Sequence, residues 1–475
     1  MKKTAVFCLV IILTLALFMG SALAAPAYDG EVKPHAVMLL DATTGQVLFE
    51  QNADERIYPA STTKILSCIV ALEKGNLDDI VTVGEEGDWT GSGYSLMGIK
   101  QGQQLSLREL IYGMMLISGN DAAAAIAVHI GGSLEGFANM MNQKAQELGM
   151  TGSHFITPHG VDTEGHYVTA RDMATLSLYA IKNEQFMQIV GSASYDFPSM
   201  NFTEEKQRQN TNKLLISNVP EGDTSYYYEY ATGMKTGATP KAYRCVVSSA
   251  EKDGMKLVCL IFGDETKDGS ERWPLAKNLF EYGFKNYETV DIQALIDTVP
   301  VSVNVARAAE DDAEGGVLAL DAANTGVDLV TMDKTVAEAL RNGGLSAQVT
   351  LISGEQLNAP VKAGDPVGTV VYTNTQSGET VAQAQLTASR DVGGVGGVDG
   401  VDDNTETIPA PVEEEIAPTQ QGGSTWIWLV LGGVLVVLVI VFAVGLIRAK
   451  NARVRRRNYA QRRPASRSAS RPRRR

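Results

Sequence analysis

The sequence predicts an α+β fold in which an antiparallel sheet is covered by helices and carries an inserted helical lobe. Three observations carry that reading. Strand hairpins stand at both ends of the region 36–287, strongly helical patterns fill its middle, and short alternating runs replace them after residue 288. The alternating runs predict a small all-β domain, and beyond it the composition predicts a disordered linker and a single transmembrane helix.

Taken in order along the 475 residues, the chain opens with Lys2 and Lys3, an apolar run from Ala5 to Met19 and the small-residue signal Ala22-Leu23-Ala24, so 1–24 is expected to be a secretory signal peptide. Cys8 lies too early in the apolar run for lipid attachment. The stretch AVMLLDATTGQVLFEQN reads as a hairpin turning at Thr44 and Gly45. In PASTTKILSCIVALEKGN, Pro59 favours a helix start and Gly75 a stop. LRELIYGMMLIS, DAAAAIAVHI and FANMMNQKAQELG are three further helices, the last stopped by Gly149. YRCVVSSAEKDGMKLVCLIFG is a strand pair turning near Asp253-Gly254, and WPLAKNLFEYGFKNY is a closing helix with Pro274 near its first turn.

From 288 to 390, runs such as SAQVTLIS and DPVGTVVYT define the small β-rich domain. The stretch 391–425 is Gly-, Pro- and acid-rich, too poor in apolar residues to fold, and is expected to be a flexible acidic linker. The uncharged stretch 426–447 begins at Trp426 and ends at Ile447; as a helix it is roughly 33 Å long, enough to cross a bilayer. The tail 448–475 holds 13 Lys/Arg and no acidic residue, which the positive-inside rule assigns to the cytoplasm. The expected protein is therefore exported and anchored by one pass, with its folded domains outside and a basic cytoplasmic tail.

The net charge is −14; without the 13 cations of the tail and Lys2 and Lys3, the exported part carries about −29. That argues against nucleic acid or anionic lipid as a partner of the body. Cys68, Cys245 and Cys259 remain after processing. Cys245 and Cys259 fall on opposite faces of adjacent strands, so three buried thiols and no disulfide are expected. No Cys/His cluster has metal-ligand spacing, and no cofactor is called for.

Three short motifs carry chemistry. Ser61 and Lys64 stand three apart at a helix start, where they share a face. Serine becomes a nucleophile only when a base takes its proton, and lysine is that base only when burial or a nearby cation keeps it neutral. Ile65, Leu66, Ile69, Val70 and Leu72 give the helix the apolar surface that would bury it. Ser118-Gly119-Asn120 joins two hydrophobic helices, where Asn120 or Asp121 would equally serve as an N-cap. Lys235-Thr236-Gly237 lies on a strand and occurs once. Each motif is weak alone: Ser249 to Lys252, in an expected turn, repeats the first spacing, and Ser199-Met200-Asn201 the second. The order Ser-x-x-Lys, Ser-x-Asn, Lys-Thr-Gly, on helix start, loop and strand, is informative.

With those motifs, and with LLDATTGQVLFEQNADERIYPASTTK and TPHGVDTEGHYVTARDMA, the chain from about Ala36 to Arg390 resembles the low-molecular-mass penicillin-binding proteins that are serine-type D-alanyl-D-alanine carboxypeptidases, peptidase family S11. The resemblance implies the penicillin-binding/β-lactamase-like transpeptidase fold for 36–287 and a pedestal-like role for the β domain. It implies Ser61 as acylated nucleophile, Lys64 as general base and Ser118 as proton relay to the departing D-alanine. Asn120 would hold the substrate amide, Lys235 and Thr236 its terminal carboxylate, and Gly237 would let the substrate lie along the strand. The N–H groups of Ser61 and Ala238 would form the oxyanion hole. The substrate would be a peptidoglycan stem peptide ending in D-Ala-D-Ala, and β-lactams would trap Ser61. His159 and Arg171 are expected to be structural; Tyr226, Tyr227 and Tyr228 would either line a groove or pack.

Two departures stand out. A full membrane span replaces the amphipathic anchor of many relatives, and Ala238 replaces a larger side chain of some. A serine β-lactamase of the same motif order would need a deacylating carboxylate, for which only Glu164 is placed, without the Glu-x-x-Leu-Asn context. A D,D-endopeptidase would carry the same motifs, and a catalytically silent wall-binding protein would make use of the β domain and the linker.

Overall fold

The computed structural model describes residues 27–89, 93–201, 209–217 and 224–395. The expected signal peptide, most of the expected linker, the membrane span 426–447 and the basic tail lie outside the described residues. Among the described residues, no helix is long and apolar enough to cross a membrane.

The first domain begins with β1 (Ala36–Asp41) and β2 (Val47–Gln51), an antiparallel hairpin whose turn uses Gly45 at φ 77°, a backbone region that glycine enters without Cβ strain. A 3₁₀ turn (Ala60–Thr63) then runs into α1 (Lys64–Lys74). The short strands β3 (Ile80–Thr82) and β4 (Gln104–Ser106) pair with each other. The helical lobe follows: α2 (Leu107–Met115), α3 (Asn120–Gly131), α4 (Leu134–Glu147), α5 (Ala170–Ala180) and α6 (Glu184–Val190). Ser106 and Glu109 form a capping box at the start of α2, each side chain accepting from the other's backbone N–H. The chain returns to the sheet as β5 (Ala231–Thr239), β6 (Tyr243–Lys252) and β7 (Met255–Asp264), then closes with α7 (Arg272–Asn286).

The sheet has the order β2-β1-β7-β6-β5 and its paired strands are antiparallel. Alternate residues feed two apolar layers. Met38, Leu40, Cys245, Val247, Val258 and Leu260 face the helical lobe, while Val37, Leu39, Val246, Cys259 and Ile261 face Trp273, Leu279 and Phe280 of α7. A sheet buried on both faces explains why its strands read as nearly continuous apolar runs. Cys245 and Cys259 do fall on opposite faces, and Cys68, Cys245 and Cys259 are all free and buried. The Ser249–Lys252 spacing, expected in a turn, lies instead at the end of β6; the turn is formed by Asp253 and Gly254, both at positive φ.

The second domain comprises β8 (Tyr287–Asp291), α8 (Ile292–Ile296), β9 (Val301–Ala306), β10 (Val317–Asn324), β11 (Leu329–Asp333), α9 (Lys334–Ala339), β12 (Leu345–Leu351), β13 (Leu357–Asn358), β14 (Pro366–Asn374) and β15 (Thr380–Ala388). A six-stranded sheet, β12-β14-β15-β10-β9-β13, surrounds its own core, with β8 and β11 paired separately. The domain is not purely β: α8 and α9 are capped by the Asp291 and Asp333 side chains. It also extends beyond residue 390, because Val392 is buried and bridges Val361, and Asp391 accepts from the Ala363 N–H at 2.7 Å.

Candidate active site

Ser61 lies on the 3₁₀ turn rather than within an α-helix, and that geometry favours the pairing, since side chains at i and i+3 eclipse there. The turn keeps Ser61 partly exposed and buries Lys64 completely. Lys64 Nζ stands 2.8 Å from Ser61 Oγ, 2.7 Å from Asn120 Oδ1 and 2.9 Å from the His159 carbonyl oxygen. Burial drives the Lys64 amine well below the ordinary lysine range; the Lys235 charge adds to this and the Asp121 charge opposes it. A lysine held neutral in that way is a base within hydrogen-bond reach of a hydroxyl.

The second motif arrives on the α2–α3 junction. Ser118 adopts φ 64° and is 5% exposed, a left-handed conformation unusual for a non-glycine residue. Neither Asn120 nor Asp121 caps α3 as a side chain; the cap position is Gly119. Asn120 gives its carbonyl to Lys64, and Asp121 accepts from the N–H groups of Met97, Gly98 and Ile99.

The third motif lies on β5, which is the sheet edge nearest the turn. Lys235 is 1% exposed, donates to its neighbour's carbonyl, Thr236 O, at 3.0 Å, and is pulled down to about 7 by burial. Thr236 Oγ1 donates to Thr211 Oγ1 at 2.7 Å. Gly237 also has a packing role. A Cβ at that position would stand 3.1 Å from Ala60 Cβ, Pro59 O and Ser61 N, so the missing side chain lets β5 approach the Ser61 turn itself. Ala238 follows on the same strand.

The loop between α4 and α5 closes the base of the site. Gly160, at φ 79°, passes so close to the turn that a Cβ would collide with the Ala60 carbonyl and Thr63 Oγ1. Ser67 Oγ donates to Pro158 O at 2.6 Å, and Thr63 Oγ1 meets His166 Nε2 at 3.1 Å. His166 Nδ1 accepts from the Ile156 and Thr157 N–H groups, which makes Nε2 the donor to Thr63. Burial lowers His159 to about 3 and His166 to about 4, so both rings are neutral. The His159 ring packs edge-on against Trp89 at 4.9 Å while its carbonyl serves Lys64.

Arg171 pairs with Asp54 and Glu50 on the surface, away from this chemistry. Tyr228 packs on Phe280 and donates to Glu281, so that part of the tyrosine run serves the α7 side of the sheet. Sequence reasoning missed the His159 carbonyl, Thr211 and the anchoring by Asp121. Only the acid directly following Ser-x-Asn offered a signal for the last of these.

A family model described as Peptidase S11, D-alanyl-D-alanine carboxypeptidase, matches residues 21–266. The chain is similar to D-alanyl-D-alanine carboxypeptidase DacA of Escherichia coli (strain K12), 34% identical over 375 residues that cover 76% of this chain and 84% of the relative. It is also similar to D-alanyl-D-alanine carboxypeptidase DacF of Bacillus subtilis (strain 168), 29% identical over 364 residues that cover 75% of this chain and 85% of that one. Among solved structures, penicillin binding protein 5 from Haemophilus influenzae superposes with a TM-score of 0.55 at 29% identity, over 78% of this chain and 100% of the other.

Proposed function

Because the chain belongs to the Peptidase S11 family of D-alanyl-D-alanine carboxypeptidases, we propose that it removes the terminal D-alanine from peptidoglycan stem pentapeptides through an acyl-enzyme on Ser61. The observation that carries this reading is the buried Lys64 amine 2.8 Å from the hydroxyl of the partly exposed Ser61. It is a serine-type carboxypeptidase, and its own residues supply each step.

The substrate's terminal carboxylate meets Lys235 and the Thr236 hydroxyl, a cation and a donor suited to an anionic end group. Ser61 Oγ attacks the carbonyl between the two D-alanines as Lys64 takes the hydroxyl proton. The N–H groups of Ser61, on the turn, and of Ala238, on the strand that Gly237 lets approach it, receive the developing oxyanion; losing one such donor typically costs about 10²–10³ in rate. Ser118 passes a proton to the leaving nitrogen, D-alanine departs, and water then hydrolyses the Ser61 ester. A β-lactam ring opens on the same hydroxyl and leaves an ester that blocks the site.

Asn120 holds Lys64 through its carbonyl, and its amide NH₂ is the part available to the substrate. A β-lactamase reading is disfavoured because Glu164 is exposed and Asp162 is engaged by Thr239 Oγ1 and the Lys241 N–H. The apolar stretch 426–447 and the basic tail after it support an exported enzyme held to the cell membrane by one C-terminal pass.

The test is release of D-alanine from a pentapeptide ending in D-Ala-D-Ala. Wild type releases one equivalent per peptide, and Ser61→Ala releases none above background. D-Alanine release by Ser61→Ala at a rate near wild type refutes the assignment.

A further inference from the structure

Asp121 is 1% exposed, and its carboxylate spends all its capacity on backbone N–H groups. Oδ1 accepts from Met97 at 2.8 Å and Ala122 at 2.9 Å; Oδ2 accepts from Gly98 at 2.7 Å and Ile99 at 3.2 Å. Three of the four donors belong to a strap, residues 93–99, that is remote in sequence from α3. The strap is locked at further points. Asn120 N–H donates to Ser95 O at 2.8 Å, and the Met97 side chain, 2% exposed, fits between Gly113 and Gly119, where any Cβ would crowd it. At its other end Tyr94 meets Trp89 edge-on at 5.1 Å, and Trp89 meets the His159 ring at 4.9 Å. Asn120 and His159 supply the two carbonyls that accept from Lys64, leaving the third position on its amine to Ser61 Oγ. They come from different parts of the chain; the strap bonds to Asn120 directly and reaches His159 through Trp89.

We infer that Asp121 is a positioning residue for the reaction: by gripping residues 97–99 it holds in register the two walls that present the Asn120 and His159 carbonyls to Lys64. The inference rests on the acyl-enzyme reading of Ser61 and Lys64. It carries an electrostatic consequence as well. Burial acts most strongly on Lys64; the charges acting on it are Lys235 on β5 and Asp121 on α3, while the His159 ring on the α4–α5 loop is neutral. Of these two charges Asp121 favours the ammonium form, so it moves upward in pH the point at which Lys64 becomes a base, and Lys235 moves it downward.

Asp121→Asn removes the charge with little change in shape and turns one acceptor into a donor facing backbone N–H groups. Met97→Ala keeps the charge and loosens the strap. Each is made in the full-length chain, and acylation by a fluorescent penicillin is followed from pH 5 to 10 alongside a thermal melt. For Asp121→Asn, the plateau rate is expected to fall at least tenfold while the acidic limb of the profile moves to lower pH. For Met97→Ala, the rate falls and the limb stays. A role confined to folding lowers the melting temperature but leaves the limb in place, so an unmoved limb or an unchanged plateau in Asp121→Asn overturns the inference. If Asp121→Asn does not fold, Asp121→Glu decides: the displaced charge keeps the limb and lowers the rate at least fivefold, and a wild-type rate refutes the positioning role. Wild type that is not labelled at Ser61 refutes the acyl-enzyme reading itself and the inference with it, whereas labelled wild type with a normal Asp121→Asn refutes the inference alone.

Discussion

Among the described residues, Lys64 Nζ has three hydrogen-bond partners and no carboxylate bonded to it, which is what separates a base from an ordinary ion-paired lysine. Removing it with Lys64→Ala is expected to slow acylation by about 10²–10⁴, the usual range for a general base, measured as the second-order rate with a fluorescent penicillin. Lys235 makes a separate prediction. Its amine titrates at about 7, so it is a cation below that pH and loses its charge as pH rises through it. Hydrolysis of a carboxylate-ended peptide should therefore decline above about pH 7 through a rising KM. In Lys235→Arg the guanidinium stays charged, and the decline should shift to higher pH. The Ser61–Lys64 pair was legible in the sequence because its partners are three residues apart and their side chains alone define it. The His159 carbonyl was not, since a backbone acceptor leaves no mark on residue type. Asn120 was legible as a site residue but not as a ligand of Lys64, which depends on how α1 and α3 pack.

At the scale of elements, two glycines let two segments converge on the Ser61 turn. Gly237 admits β5 to the turn, and Gly160 admits the α4–α5 loop. Gly160→Ala would place a methyl group against the Ala60 carbonyl and impose positive φ on a residue with a Cβ. The expected cost is about 2–4 kcal/mol, read from the denaturation midpoint, with a loss of acylation because the nucleophile's own turn must move. The hairpins and long helices were legible from their periodicity and from Gly45, Gly75 and Gly149. The 3₁₀ turn that carries Ser61 into α1 was not, because Pro59 marks a helix onset without specifying its pitch.

Across the whole described molecule, the catalytic and β domains are joined through Asp41, which is fully buried at the end of β1. Its Oδ1 accepts from the Thr43 N–H at 2.6 Å, and its Oδ2 accepts from Thr289 Oγ1 at 2.7 Å and Thr331 Oγ1 at 2.9 Å. Hydrogen bonds to a charged group typically contribute about 1.5–3 kcal/mol each. Asp41→Ala should therefore lower stability by several kcal/mol and broaden the interdomain distance distribution in small-angle scattering. The change in texture near residue 288 made the second domain legible. Its true extent was not, because Val392 and Asp391 join it through partners about thirty residues away, and such pairings have no local signature.

The central claim is a covalent one: Ser61, deprotonated by Lys64, becomes an ester. Intact-protein mass spectrometry after benzylpenicillin treatment, with peptide mapping, addresses it directly. The account predicts a single adduct of the antibiotic's mass on the peptide containing Ser61, absent from Ser61→Ala. An unmodified protein, or an adduct mapped to any other residue, would contradict it.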